Sequence, residues 1–240
     1  MQKQVNKDLQ YTKYGTLIII VKYNKSSNIE IEFQDEYKFI TNTTYANFKR
    51  GYIKNPYDKS VCGVGYIGVG KYKSKVGGDL TPAYFTWKNM VHRCYDEDHR
   101  YLNITYEECY MCNEWLNFQT FAKWYEDNFY DVGEGRMHID KDILIKGNKL
   151  YSPETCIIVP QRINMIFMSK ANKWNLPSGI SMSKTGKYIT SYNGIHLGTI
   201  DTLNDAIITH DTEKRKCIKE IVEEYGNKLP STVSGALLSW

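Results

Sequence analysis

The sequence predicts an α+β fold built from small segments. Strand-patterned runs sit towards both ends of the chain, two aromatic helical stripes occupy the middle, and a strand–turn–strand stretch leads into a helix near residue 160. The 240 residues exceed one typical domain of ~100–150 residues but fall short of two full-sized ones, so two or three small modules fit better than one large enzyme core. A 42% hydrophobic and 24% charged composition, with a 14% aromatic fraction, excludes wholesale disorder.

The first module, residues 1–78, is predicted to be basic and β-rich. Leu17-Ile-Ile-Ile-Val is rich in β-branched residues and Ile29-Glu-Ile-Glu-Phe alternates with period two, so the stretch from Thr16 to Phe48 reads as strands of a small sheet. Asn55-Pro-Tyr-Asp and the glycines from Gly63 to Gly78 read as loop and linker, which sets a boundary near 78. Gly63-Val-Gly-Tyr-Ile-Gly68 matches the spacing of a dinucleotide fingerprint, but the polar, glycine-broken Lys71–Gly78 that follows does not open the required helix.

Residues 79–170 are predicted to form a central helical region followed by a hairpin. Tyr84, Trp87, Met90, Val91 and Cys94 follow helical spacing, as do Trp115, Phe118, Phe121, Ala122 and Tyr125 in the helix predicted from Glu114. Residues 171–240 then carry Gly-bearing turns at Lys184-Thr-Gly-Lys and Asn193-Gly194, giving a three-stranded meander, and a helix from Asp201-Thr202 to about Tyr225. Its stripe of Leu203, Ala206, Ile207, Cys217, Ile218 and Ile221 is predicted to pack on one sheet face.

Charge is segregated. Residues 1–78 hold 13 Lys/Arg against 6 Asp/Glu, residues 79–170 hold 10 against 14, and the remainder is near neutral, within a net charge of +4. Basic ends suit a polyanion, and an acidic centre suits a cation. The most apolar run, Leu17–Val21, is far short of the ~20 residues of a membrane span, so no membrane association and a cytoplasmic location are expected. The six scattered cysteines do not suggest disulfides in such a chain. Cys109 and Cys112, with Cys94 and Cys156 as completing ligands, make a candidate structural Zn2+ site.

The stretch with chemical content is Arg136-Met-His-Ile-Asp-Lys-Asp-Ile-Leu, the turn Lys146-Gly-Asn-Lys, Tyr151-Ser-Pro-Glu-Thr-Cys-Ile-Ile-Val-Pro and Gln161-Arg-Ile-Asn. On an extended strand His138, Asp140 and Asp142 would share a face. Pro160-Gln161 signals a helix start that turns Asn164 towards that strand. Phosphodiester hydrolysis needs such a set: His138 as base, and oxygens of Asp140, Asp142 and Asn164 for one Mg2+ or Mn2+ ion.

This strand–loop–strand–helix resembles the HNH nuclease motif with its ββα-metal hairpin. Thr86-Trp-Lys-Asn-Met, Glu114-Trp-Leu-Asn-Phe, Asp140-Lys-Asp-Ile-Leu-Ile-Lys-Gly-Asn-Lys and Tyr151-Ser-Pro-Glu-Thr-Cys are similar to phage-encoded HNH proteins of the homing-endonuclease type, over residues 80–170. The resemblance implies His138 as general base, Asn164 as metal ligand and Asp140 as the nearest second ligand. The central asparagine that orients the base in that family falls at Tyr151, or is replaced by Asn148. Met137 stands where active members usually have an acidic residue or a second histidine.

The C-terminal module fits double-stranded DNA, since a basic β-ribbon matches the major groove. Lys173, Lys184, Lys187, Tyr188, Tyr192 and His196 are its candidate contacts, and Lys49 and Arg50 are candidates in the N-terminal module. Gly179-Ile180, Gly186-Lys187-Tyr188 and Leu197-Gly-Thr-Ile-Asp-Thr with Ala206 resemble the ethylene-response-factor (apetala-type) DNA-binding domain. In that resemblance the base-reading arginines fall at Ser181 and Ser183.

The sequence-based expectation is therefore a DNA-binding, divalent-metal-dependent endonuclease of phage or mobile-element type, acting in the host cytoplasm, with no small-molecule substrate. The alternative is a catalytically inactive DNA-binding, regulatory or anti-defence protein with a degenerate HNH motif. A protein partner bound through aromatic surfaces is a third reading.

Overall fold

The computed structural model describes residues 8–102, 108–168 and 176–240. It has a mixed α+β fold with several small sheets. The chain divides into two compact units: residues 1–102 with 113–123, and residues 103–112 with 124–240. The boundaries expected near 78 and 170 both fall inside these units.

In the first unit β1 (Leu9–Tyr11), β2 (Leu17–Lys25), β3 (Asn28–Phe33) and β4 (Ile40–Thr43) form an antiparallel meander in sequence order. Ile18 pairs with Phe33 and Ile20 with Ile31, so the alternating residues form one apolar face. That face closes on Phe48 and Ile53. The extended pattern predicted through Phe48 stops at Thr43, because Thr44 accepts the Asn47 N–H and starts helix α1 (Tyr45–Arg50).

The glycine-rich stretch is packed rather than a free linker. The Tyr66 N–H donates to the Leu116 carbonyl, the Phe118 N–H donates to the Tyr66 carbonyl, and Gln119 Nε2 donates to the carbonyls of Ile67 and Tyr72. A side chain at Gly65 would press on the Trp87 indole at 3.0 Å. The strands β5 (Lys75–Val76) and β6 (Asp79–Leu80) pair around Gly77 and Gly78, and Thr81 then caps α2 (Pro82–Tyr95) with proline at its first position. Trp87, Met90, Val91 and Cys94 are buried as their spacing predicts. Trp87 Nε1 donates to the Trp115 carbonyl at 2.7 Å. After α3 (Glu97–Leu102), the helix predicted from Glu114 opens instead as a 3-10 turn, Asn113–Leu116, and α4 spans Phe118–Asn128.

In the second unit β7 (Tyr110–Met111) runs parallel to β9 (Leu150–Tyr151), while β8 (Met137–Asp140) pairs antiparallel with β10 (Ile157–Pro160), and α5 (Gln161–Phe167) follows at once. Farther on, β11 (Ile180–Met182), β12 (Tyr188–Tyr192) and β13 (Ile195–Ile200) make the expected meander. Thr202 caps α6 (Leu203–Tyr225), and α7 (Ser231–Leu238) ends the chain.

Helix α6 serves two faces, not one. Ala206 is buried on the side that meets β12 and β13. Ile218, Ile221 and Tyr225 enter a core with Val132, Ile143, Val159 and Ile163 of the hairpin region, completed by Leu229, Val233 and Leu237. Lys214 lies over the rings of Trp240 (3.6 Å) and Phe167 (4.8 Å), and burial lowers its pKa to about 8. Among the described residues no helix is long and apolar enough to cross a membrane.

Candidate functional site

The β8–β10 hairpin and α5 set the geometry of the site. His138 stands opposite Val159 and Asp140 opposite Ile157, while Ile139 between them is buried. The Gln161 N–H donates to the Arg136 carbonyl at 2.7 Å, fastening the start of α5 to the chain entering β8. Ile163, fully buried, anchors the helix in the core, and Asn164 next to it comes to 3.3 Å from His138, amide Nδ2 to imidazole Nδ1. Of the predicted site residues, this pair is brought together across 26 positions.

With Nδ2 donating, His138 Nδ1 is the acceptor, the imidazole proton sits on Nε2, and Asn164 Oδ1 turns away from the ring. Rotating the amide by half a turn reverses this: Oδ1 accepts from Nδ1–H, and Nε2 carries the lone pair that a general base needs. Asn164 has a single amide oxygen. One pose lets it orient the base and the other lets it offer oxygen to a cation, so the two roles compete.

The aspartates depart from the expected arrangement. The strand ends at Asp140, so Asp142 does not continue the His138 face. Asp140 Oδ1 accepts the backbone N–H groups of Asp142 (2.7 Å) and Ile143 (2.8 Å), turning the chain out of β8. Asp142 receives the buried Lys141 ammonium on both oxygens, at 3.0 and 2.8 Å, and the same ammonium donates to the Asn148 carbonyl at 2.6 Å. Lys141 was not among the predicted site residues; the signal for it was a lysine set between two carboxylates. Burial raises the Asp140 carboxyl above its ordinary range, against the lowering effect of the two N–H donors.

Ionising Asp140 therefore costs the folded state. The stability it supports is fully present below the ordinary carboxylate pKa and is lost as pH rises through the raised value. Asp140→Asn keeps the acceptor oxygen and removes the buried charge, so at pH 7 it is expected to match or exceed wild-type stability. Asp140→Ala strands two donors and is expected to cost about 1–3 kcal/mol. Urea denaturation of both variants at pH 7 checks this.

Tyr151, the position implied for a base-orienting asparagine, is 2% exposed on β9, where its carbonyl accepts the Cys112 N–H at 2.9 Å. The loop is tied instead by Asn148, whose Nδ2 donates to the carbonyls of Lys141 and Leu150 and whose Oδ1 accepts the Leu150 N–H.

Of the four cysteines nominated for zinc, Cys94, Cys109 and Cys156 are buried and Cys112 is partly buried. Cys109 and Cys112 stand on either side of the two-residue strand β7. Cys156 is buried, and burial pushes its thiol up to about 12. Cys94 is buried on α2. Among the described residues, one group of His, Cys, Asp or Glu brings three ligand atoms within 4.8 Å of one another: Cys62, His92 and Asp96.

The candidate DNA contacts separate by face. Ser181 pairs with Ile189 and Ile189 with Thr199, and Ser191 pairs with His196, so these residues share the outer surface of the sheet. Tyr188 and Tyr192 each stand two positions from the buried Thr190 and so share its face, the helix side of the sheet. The Tyr192 ring meets His210 of α6 at 5.4 Å, and burial raises its phenol. Tyr192 is thus a packing residue, a correction to its nomination as a groove contact; Tyr188 is half-buried at the start of β12. Ser183 Oγ accepts the Lys187 N–H within the turn, which leaves Lys184 exposed at its tip. Lys187 pairs with Asp201 at 2.6 Å, both exposed. Lys49 and Arg50 close α1, and Lys49 pairs with Asp8 at 3.5 Å. Lys173 lies outside the described residues.

Comparison of the chain with protein-family models, with curated proteins and with solved structures finds no match.

Proposed function

We propose that the protein is a DNA-binding, divalent-metal-dependent endonuclease whose centre is the β8–β10 hairpin with α5. The observation that supports this reading is the 3.3 Å pairing of His138 with Asn164 on a strand and the helix that follows the hairpin. A half-buried imidazole in a fixed orientation is what proton transfer from water requires. His138 takes the proton of a water whose oxygen attacks phosphorus as the bond to the leaving sugar oxygen breaks. With Asn164 Oδ1 accepting the His138 Nδ1–H and so orienting the base, Asp140 Oδ2 is the hard oxygen donor that would hold one Mg2+ or Mn2+ ion; Asn164 would join it as a ligand only in the pose that gives up this orienting role. That ion, when bound, stabilises charge on the scissile phosphate and the leaving oxygen. The outer sheet face with His196, and Lys184 at its edge, would meet the duplex.

A second reading is a DNA-binding protein without cleavage, acting as a regulatory or anti-defence factor. The bonding of both aspartates favours it: Asp140 caps a loop and Asp142 is held by Lys141. Supercoiled plasmid incubated with Mg2+ or Mn2+ distinguishes the two. Relaxation or linearisation that EDTA abolishes supports the nuclease, whereas a gel shift with intact plasmid supports the second reading.

A further inference from the structure

The first unit carries a set of side chains that neither the hairpin nor the DNA contacts use. Cys62, His92 and Asp96 place a sulfur, an imidazole nitrogen and a carboxylate oxygen within 4.8 Å of one another, and all three are partly buried. His92 lies in the last turn of α2, and Asp96, four residues on, caps that helix. His92 Nδ1 and Asp96 Oδ2 are 2.9 Å apart, while Asp96 Oδ1 accepts the His99 N–H at 3.0 Å. The carboxylate is thus oriented through one oxygen and presents the other to the imidazole.

Cys62 reaches this pair from a tight turn. The Val64 N–H donates to the Val61 carbonyl, and the two central residues, Cys62 and Gly63, have φ of 49° and 70°. Glycine, asparagine or aspartate normally fills such positions, because a left-handed conformation costs other residues about 1 kcal/mol or more. A cysteine held there, with its sulfur beside a histidine and an aspartate, is backbone strain at a place where a ligand would use it.

We propose that Cys62, His92 and Asp96 form a Zn2+ site with a fourth position left for water. Ligand atoms around a tetrahedral zinc, with bonds of about 2.0–2.3 Å, lie roughly 3.3–3.7 Å apart, so small side-chain movements convert the observed cluster into a coordination sphere. Thiolate with imidazole selects zinc over magnesium or calcium, which take oxygen ligands. The hydrogen bond from the His99 N–H then serves as the outer support that fixes a ligating carboxylate. The thiol gives up its proton to solvent on binding, and no oxidant or reductant is involved. Such a site ties the Val61–Val64 turn to the end of α2.

The test uses the full chain, stripped with EDTA and titrated with Co2+. Expected is a thiolate-to-cobalt charge-transfer absorption that saturates at one equivalent and is bleached by Zn2+. Cys62→Gly suits the positive φ, so its metal-free melting temperature should equal or exceed that of wild type while the absorption disappears. His92→Ala should weaken Co2+ binding by more than about tenfold. Cys112→Ser should leave the absorption unchanged. Absence of the absorption in wild type, its survival in Cys62→Gly, or its loss in Cys112→Ser overturns the proposal. None of these readouts depends on DNA cleavage.

Discussion

Replacement of His138 by alanine is expected to lower metal-dependent plasmid cleavage by about 10²–10⁴-fold, the usual contribution of a positioned general base. DNA affinity in a gel-shift titration should stay at the wild-type value, because His138 belongs to the hairpin and not to the outer face of the C-terminal sheet. Asn164 sharpens the test. Asn164→Ala removes the 3.3 Å contact and with it the fixed ring orientation, so cleavage should fall while the protein stays folded around Ile163. Asn164→Asp offers only acceptors towards His138. The imidazole is then forced to carry its proton on Nδ1, and the adjacent carboxylate favours the imidazolium. Because the base form exists only above the raised imidazole pKa, the acid limb of the pH–rate profile should move to higher pH. If His138→Ala and wild type cleave equally with Mg2+ or Mn2+, the imidazole has no part in the reaction.

What could be read from the chain follows the range of the forces involved. Ile29-Glu-Ile-Glu-Phe declares its strand because alternation is local, and Thr202, Pro160 and Asn193-Gly194 mark helix starts and a turn by their own backbone chemistry. The approach of His138 and Asn164 was legible for the same reason: a strand period and a helix start, joined by one hairpin, fix both residues. Asp142 was not, since the strand ends where the Asp140 side chain takes over two backbone donors. The glycine-rich stretch reads as linker because nothing local reveals that Gly65 is small to admit Trp87, or that Gln119 supplies the missing backbone partners. The grouping of Cys62, His92 and Asp96 had no signal in spacing, because a tertiary turn brings the cysteine to the helix end. The stripe on α6 showed that the helix is amphipathic, while what covers its far end comes from the distant hairpin region and from the segment after the helix, Leu229, Val233 and Leu237.

That last point carries the largest expected effect on stability. A fragment of residues 79–170, which contains the whole resemblance to the HNH motif, is expected not to fold. Val159 and Ile163, both fully buried, are covered by Ile218, Ile221 and Leu237, all beyond its end. Without them the hairpin and α5 present an apolar face to water, and burial of such side chains is what offsets chain entropy in a small domain. In the full chain, Ile218→Ala is expected to cost about 2–5 kcal/mol, or a melting temperature lower by roughly 5–15 °C for a chain of this size. Two controls on the exposed sides of the same helices separate core packing from surface effects. Ile208→Ala, at a position 55% exposed on α6, should change stability by less than about 0.5 kcal/mol. Arg162→Ala breaks a two-pronged but exposed pair with Glu224 (2.6 and 2.7 Å) and should cost no more than about 1 kcal/mol. Hydrogen exchange gives the decisive readout. Because Ala206 packs towards the C-terminal sheet while Ile218 packs towards the hairpin, Ile218→Ala should lower protection in β8 and β10 as well as in α6. Unchanged exchange in β8 would mean that the hairpin holds His138 and Asn164 together without the helix.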